Sequence, residues 1–216
     1  MNYVHGGDYG DIIYFLPVAK YNAPSRLWLN AFPYVRALCT REHADNILPL
    51  LNSQDYLTAS YYEGEVITGL IDANLWRLTP HYHSHLCYRQ CEYHGTPLEA
   101  TVDPWLKVEP NRVASTVINR TARYHGGLDY KPYLDNAVFI GSTEEHSAFV
   151  FTFGFVPYYR TRSLLEAAMV IAGADLFVGN QSACYALAEG LKQCTVQEVY
   201  HSDPNCVFVR DNAKYV

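Results

Sequence analysis

The stretch HGGDYGDIIYFLP, residues 5–17, shares its first residue, His5, with NYVH, residues 2–5, near the start of the chain. NYVH has the length of a short strand. Ile12, Ile13, Phe15 and Leu16 then give an apolar run at helical spacing. Gly6, Gly7 and Gly10 therefore fall in a tight strand-to-helix turn. They either shape that turn or let backbone and a carboxylate, Asp8 or Asp11, approach a ligand. Pro17 lies inside the expected helix, where it removes a donor and can kink the chain. No GK[ST] follows the glycines, and their spacing is not GxGxxG, so neither phosphate loop is present.

Outward from this turn, strand-like and helix-like stretches alternate. Residues 26–37 are mixed and apolar, with Trp28, Leu29, Phe32 and Val35, and residues 45–51 read as a helix. A polar, histidine-rich middle ends in WLKVEPNR (105–112), which reads as a connector. In the second half, residues 114–119 and 137–140 read as strands, and 149–155 as a third apolar run. Residues 164–172 form a helix closed by Gly173. DLFV (175–178) is a short strand, GNQS (179–182) a polar turn, and a helix follows to Leu191. CVFVR (206–210) reads as a final strand. Such alternation predicts an α/β protein with parallel sheets.

The chain has 216 residues, enough for one sizeable core or two small ones. Hydrophobic residues make up 49% and charged residues 18%, the balance of a globular protein. No apolar run approaches the roughly 18–20 residues of a membrane span. The N-terminus reaches Asp8 and Asp11 without a basic region, so no signal peptide is expected, and a cytoplasmic location is. Six scattered cysteines without a CxxC pair fit reduced, mostly buried thiols. A net charge of −6 argues against non-specific coating of nucleic acid. The 19 tyrosines suit sugars and bases, and equally suit a core.

Two strand-to-helix turns stand out: GGDYGD near one end and GNQS near the other. Ligands of parallel sheets gather at strand carboxyl ends, and helix N-termini favour phosphate. Ser182 and Asn180 also suit ordinary helix capping.

Together the two turns resemble family 9 glycosyltransferases, the ADP-heptose:lipopolysaccharide heptosyltransferases. The N-terminal match is Gly10, Asp11, Ile12, Ile13, Leu16 and Pro17. The second is IAGADLFVGNQSACYALAEGL, and a fainter third is FIGSTEEH (139–146). The resemblance implies a GT-B-like α/β fold of two small Rossmann-like domains with parallel sheets facing across a cleft. Residues 1–110 would hold the acceptor and 111–216 the nucleotide-sugar. It implies an inverting, metal-independent transfer from a nucleotide-sugar donor to a hydroxyl of a glycan or a modified nucleic-acid base. Asp11 matches the family's catalytic aspartate. For the donor the expected contacts are Gly10, Arg120, Thr121, Arg123, Glu144, Glu145, Gly179, Asn180, Gln181 and Ser182. Arg120 and Arg123 would clamp the diphosphate. Glu144 or Glu145 would accept hydrogen bonds from ribose hydroxyls. Asn180-Gln181-Ser182 and Tyr185 depart from the family's usual Asp-Thr-Gly turn and histidine, which leaves the donor sugar open. A chain this short leaves room for a homodimer.

PHYHSHLCYRQCEYH carries His81, His83, His85, His94, Cys87 and Cys91. Alternation at 81, 83 and 85 would align three histidines on one strand face. No standard zinc spacing appears, so hydrogen-bonded histidines are expected and no metal site. Two other readings stand beside the transferase. One is a nucleotide or nucleotide-sugar binding module without catalysis. The other is a lone Rossmann-like domain whose glycines only shape turns.

Overall fold

The computed structural model describes residues 1–30, 39–80 and 82–216. Phe32, Val35 and His81 lie outside the described residues. The chain divides into two compact units, Met1–Lys107 and Val108–Val216. Each unit carries its own parallel sheet, so the lone-domain reading does not hold.

In the first unit, strands β1 (Asn2–His5), β2 (Ser25–Leu29), β3 (Leu57–Tyr61) and β4 (Leu70–Asp72) form one parallel sheet in the order β3-β2-β1-β4. Tyr3, Val4 and His5 are all buried, as a strand covered on both faces requires. Helix α1 (Tyr9–Tyr21) runs through Pro17 and is buried without a break from Asp11 to Ala19. Helix α2 starts at Arg41, earlier than the sequence pattern indicates, because the Thr40 side chain caps it by accepting from the His43 N–H.

The histidine-rich segment is not a strand. It forms helix α3 (Leu86–Tyr93), and the His85 ring Nδ1 accepts from the Cys87 N–H at its start. Cys87 and Cys91 face the core at i, i+4. His85 packs edge-on to Tyr14, and His94 to Tyr3 and Phe15. Among the described residues, no three His, Cys, Asp or Glu side chains are grouped to hold a metal ion.

These packed histidines give the first unit an acid-labile core. Burial, then the Arg77 guanidinium, pushes the His5 pKa down to about 3. Burial pushes His94 down to about 4. Both are neutral when folded, whereas the unfolded rings bind protons below about 6.5. Stability is therefore complete above pH 6.5 and falls as the pH drops toward about 4, by about 1.4 kcal/mol per pH unit for each ring. Urea midpoints at pH 7.5, 5.5 and 4.5 should decline in that order, and His94→Asn should make the decline shallower. Equal midpoints would refute the assignment.

In the second unit, β5 (Thr116–Asn119), β6 (Ala137–Phe139), β7 (Leu176–Asn180), β8 (Thr195–Glu198) and β9 (Ala213–Tyr215) form a parallel sheet in the order β6-β5-β7-β8-β9. Ile118, Val178 and Val196 present one face to Tyr130, Phe139, Phe149 and Val156. Phe177 points the other way and meets Tyr185 of α6 (Ala183–Gly190).

Three sequence expectations are corrected here. Residues 149–155 are not a strand. They close helix α4 (Thr143–Phe153), which a Ser142–Glu145 capping box nucleates and Gly154 ends at φ 113°. CVFVR does not join the sheet, and β9 pairs with β8 instead. The GNQS turn is shorter than expected. Gly179 pairs with Asn119 and Asn180 with Glu198 inside the sheet, so only Gln181 and Ser182 turn. Helix α5 (Leu164–Ala172) stands where the sequence places it, with Ser163 as its cap. No helix among the described residues is long and apolar enough to cross a membrane.

Candidate active site

Both sheets have a topological switch point, and both strand-to-helix turns lie at one. In the first unit the chain winds outward from β1 through β2 to β3, then returns to place β4 on the other side of β1. In parallel sheets, ligands bind outside the carboxyl ends of the strands at such a point. Asp11 follows β1 on α1. Arg77 follows β4 in a single 3₁₀ turn, Leu75–Leu78. The topology brings the two together across 66 residues of sequence, and Arg77 Nη2 donates to Asp11 Oδ2 in a short ion pair. The two side chains are 19% and 7% exposed, so the pair is largely shielded from solvent.

The glycines now have separate explanations. A Cβ on Gly7 would lie 2.9 Å from both Asp11 Oδ2 and His5 Cε1. Gly7 is thus the floor on which the carboxylate rests. The Gly6 N–H donates to Asn74 Oδ1 and ties the β1 turn to the turn after β4. A Cβ on Gly10 would meet nothing within 4 Å, so that position faces open space. Asp8, not Asp11, occupies the N-cap position of α1. Asp11 sits inside the first turn, where a carboxylate complements the helix dipole. Its backbone carbonyl accepts from the buried Gln90 amide. Among the described residues Oδ1 has no hydrogen-bond partner, since only Oδ2 meets Arg77.

In the second unit the switch point lies between β5 and β7, because β6 flanks β5 on one side and β7 on the other. Asn119 and Asn180 end these two strands and are both buried. Ser182 Oγ donates to Asn119 Oδ1 at 2.8 Å and also caps α6, accepting from the Tyr185 N–H. Asn180 Oδ1 accepts from the Thr121 N–H at 3.0 Å, and its Nδ2 donates to the Thr121 and Arg123 carbonyls. Thr121, Asn180 and Ser182 are therefore brought together. Gly179 lies 2.6 Å, by its missing Cβ, from the Asn119 carbonyl, so strand spacing fixes this glycine. The Gln181 amide donates to Asn205.

The two arginines have different settings. Arg123 is exposed and makes no ion pair among the described residues, its guanidinium resting 5.3 Å from the Tyr124 ring. Arg120 is already engaged: Nε and Nη2 donate to the buried Glu198 at 2.8 and 3.1 Å. The two glutamates also have different settings. Glu144 is exposed at the start of α4, where its own backbone N–H, then the Ser142 hydroxyl, holds its pKa down. Glu145 Oε2 accepts from the Ser142 N–H at 2.9 Å and closes the capping box. Gly141 adopts φ 142°, and a Cβ there would lie 2.7 Å from that same Oε2. Arg77, Glu198 and Asn119 are site residues that sequence reasoning missed as such. The one available signal was a glutamate two residues after Val196 and directly before Val199, because a carboxylate buried among such residues needs a partner.

No family model matches the chain, and no curated protein matches it by sequence. Solved structures do match by fold. The E. coli heptosyltransferase WaaC with ADP-2-deoxy-2-fluoro heptose aligns over 100% of this chain and 93% of its own, with TM-score 0.61 and 11% identity. The chain has the fold of the heptosyltransferases. The iron-containing dodecameric heptosyltransferase TibC, in complex with ADP-D-beta-D-heptose, aligns over 98% of this chain and 61% of its own at TM-score 0.67 and 14% identity. A glycosyl transferase family 9 protein from Veillonella parvula aligns over 99% and 86% at TM-score 0.59 and 11% identity. The heptosyltransferase fold thus spans both units, and the family resemblance read from GDYGDIIYFLP agrees with it in fold.

Proposed function

We propose that the chain is an inverting glycosyltransferase that moves a sugar from a nucleotide-sugar donor to a hydroxyl acceptor without a bound metal. The observation that carries this reading is Asp11 at the switch point of the first sheet, with one oxygen fixed by Arg77 and the other free among the described residues. In the proposed step the acceptor hydroxyl gives its proton to Asp11 Oδ1. Its oxygen bonds to the anomeric carbon as the bond from that carbon to the diphosphate breaks. The electron pair leaves with the nucleoside diphosphate, and attack from the opposite face inverts the configuration.

The leaving diphosphate gathers negative charge. Arg123 and Arg120 supply cationic groups, and the N-terminus of α6 at Ser182 supplies N–H donors. That chemistry does for the leaving group what a divalent ion does elsewhere, which supports a metal-free step. Glu144 or Glu145 Oε1 would accept hydrogen bonds from the ribose hydroxyls. The acceptor is a glycan or a modified nucleic-acid base. WaaC and TibC were solved with ADP-heptose compounds, so adenine nucleotide-sugars head the donor panel, with the sugar itself open.

The test is release of nucleoside diphosphate from a panel of nucleotide-sugars, with and without EDTA. Release from one donor, unchanged by EDTA, is the expected result. Binding of a donor without any release would favour a non-catalytic binding module.

A further inference from the structure

Arg120 follows β5 directly and reaches past β7 to Glu198, the last residue of β8. Glu198 is fully buried and accepts from Nε at 2.8 Å and from Nη2 at 3.1 Å. These two nitrogens share one edge of the guanidinium, so the carboxylate grips it side-on. The Tyr130 hydroxyl donates to the same Oε2 at 2.9 Å. Burial, then the neighbouring Glu198 carboxylate, raises the Tyr130 pKa, so that hydroxyl keeps its proton and remains a donor. The Phe153 and Tyr130 rings lie 5.1 and 5.8 Å from the guanidinium carbon. The loop after Arg123 lies on the pair as well. A Cβ on Gly126 would fall 2.4 Å from the Val199 carbonyl oxygen and 3.2 Å from Glu198 Cγ.

An ion pair that only held the fold would use up the arginine. Here Arg120 stays 17% exposed, and Nη1 has no hydrogen-bond partner among the described residues. Nη1 and the second N–H of Nη2 form the remaining, end-on edge. We propose that Glu198 and Tyr130 are positioning residues that hold Arg120 side-on so that its end-on edge is presented to the diphosphate of the donor. This inference rests on the donor-binding reading above. A free arginine loses rotamer freedom when it meets a phosphate, whereas Arg120 has lost it on folding. The two arginines thereby divide the task. The Arg120–Glu198 pair is neutral as a unit and supplies direction. Arg123, exposed and without an ion partner among the described residues, supplies net charge.

Calorimetric titration of ADP, UDP and GDP, and of adenosine, uridine and guanosine, tests the inference. The proteins are the wild type, Arg120→Ala, Glu198→Gln, Glu198→Asp, Tyr130→Phe and the Arg120→Ala/Glu198→Gln double variant. Each Glu198 variant should weaken the bound diphosphate by about tenfold, the scale of a charge-assisted hydrogen bond, and leave its nucleoside within about twofold. Glu198→Gln should add almost nothing in the Arg120→Ala background, because its effect passes through that arginine. Tyr130→Phe keeps the ring packing and should show a smaller loss of the same selectivity. It carries the test if a Glu198 variant does not fold. Equal losses for nucleoside and diphosphate, a full Glu198→Gln effect without Arg120, or no effect would overturn the inference alone. A wild type that binds no diphosphate would overturn the donor reading and this inference with it.

Discussion

Asp11→Asn is expected to lower kcat by about 10²–10⁴-fold, the usual contribution of a general base, while donor affinity stays unchanged. The amide fits the same space on the Gly7 floor and can still accept from Arg77, so geometry is kept. What it cannot do is take a proton. The loss therefore falls on kcat and not on donor binding, which the second unit provides in this account. Asp8→Asn is the internal control. Asp8 occupies the N-cap position of α1 and makes no side-chain cap bond. Its substitution should change kcat by less than about threefold if Asp11 is the base. Steady-state rates of nucleoside diphosphate release for the two variants, set beside calorimetric affinities, separate the roles. Loss of kcat in Asp8→Asn with Asp11→Asn active would move the base to Asp8.

The second large effect is on stability. Arg77→Met should destabilise the protein by about 3–5 kcal/mol, because it leaves the Asp11 carboxylate shielded without its counter-charge. At this chain length that corresponds to a melting temperature lower by about 6–20 °C. Asp11→Asn alone should cost less, since the Arg77 guanidinium keeps its stacking on Trp76 at 4.3 Å and reaches solvent. In the Arg77→Met background, Asp11→Asn should restore part of the loss, since a neutral amide needs no ion partner. A double-mutant cycle on denaturant midpoints reads the coupling directly. Additive effects within about 0.5 kcal/mol would show that the pair contributes nothing beyond its two separate side chains.

The sequence made the α/β class and both strand-to-helix turns legible because they are local. NYVH, GGDYGD and the apolar run after them are contiguous, and a turn followed by an apolar helix leaves a mark in a dozen residues. The same is true of DLFV and the helix after it. The partners of the site residues were not legible. Arg77 reaches Asp11 only because β4 returns beside β1, and strand order is not written in any one segment. Glu198 reaches Arg120 for the same reason, with β7 between their strands. The error at residues 149–155 has a different cause. Phe149, Val150, Phe151 and Phe153 favour a strand by propensity, yet the upstream Ser142–Glu145 box starts a helix that carries through them. In that helix Phe149 is buried and Phe151 is 93% exposed, so periodicity of burial was a weak guide there. In the histidine segment, alternation at 81, 83 and 85 would align a strand face while Cys87 and Cys91 have helical spacing, and helix α3 follows the second pattern. His85 is instead a helix cap, which the sequence signals only through the helix that follows.

The most direct measurement of the central claim needs no acceptor. It is thermal unfolding of the wild type and of Arg120→Ala against ADP, UDP, GDP and CDP. A ligand at about 100 times its dissociation constant should stabilise the fold by about 2.7 kcal/mol, or roughly 5–10 °C at this chain length. Such a rise is expected with one of these diphosphates, together with its loss in Arg120→Ala. No rise with any of the four at millimolar concentration, or an equal rise in the variant, would contradict a donor site at the carboxyl ends of β5 and β7.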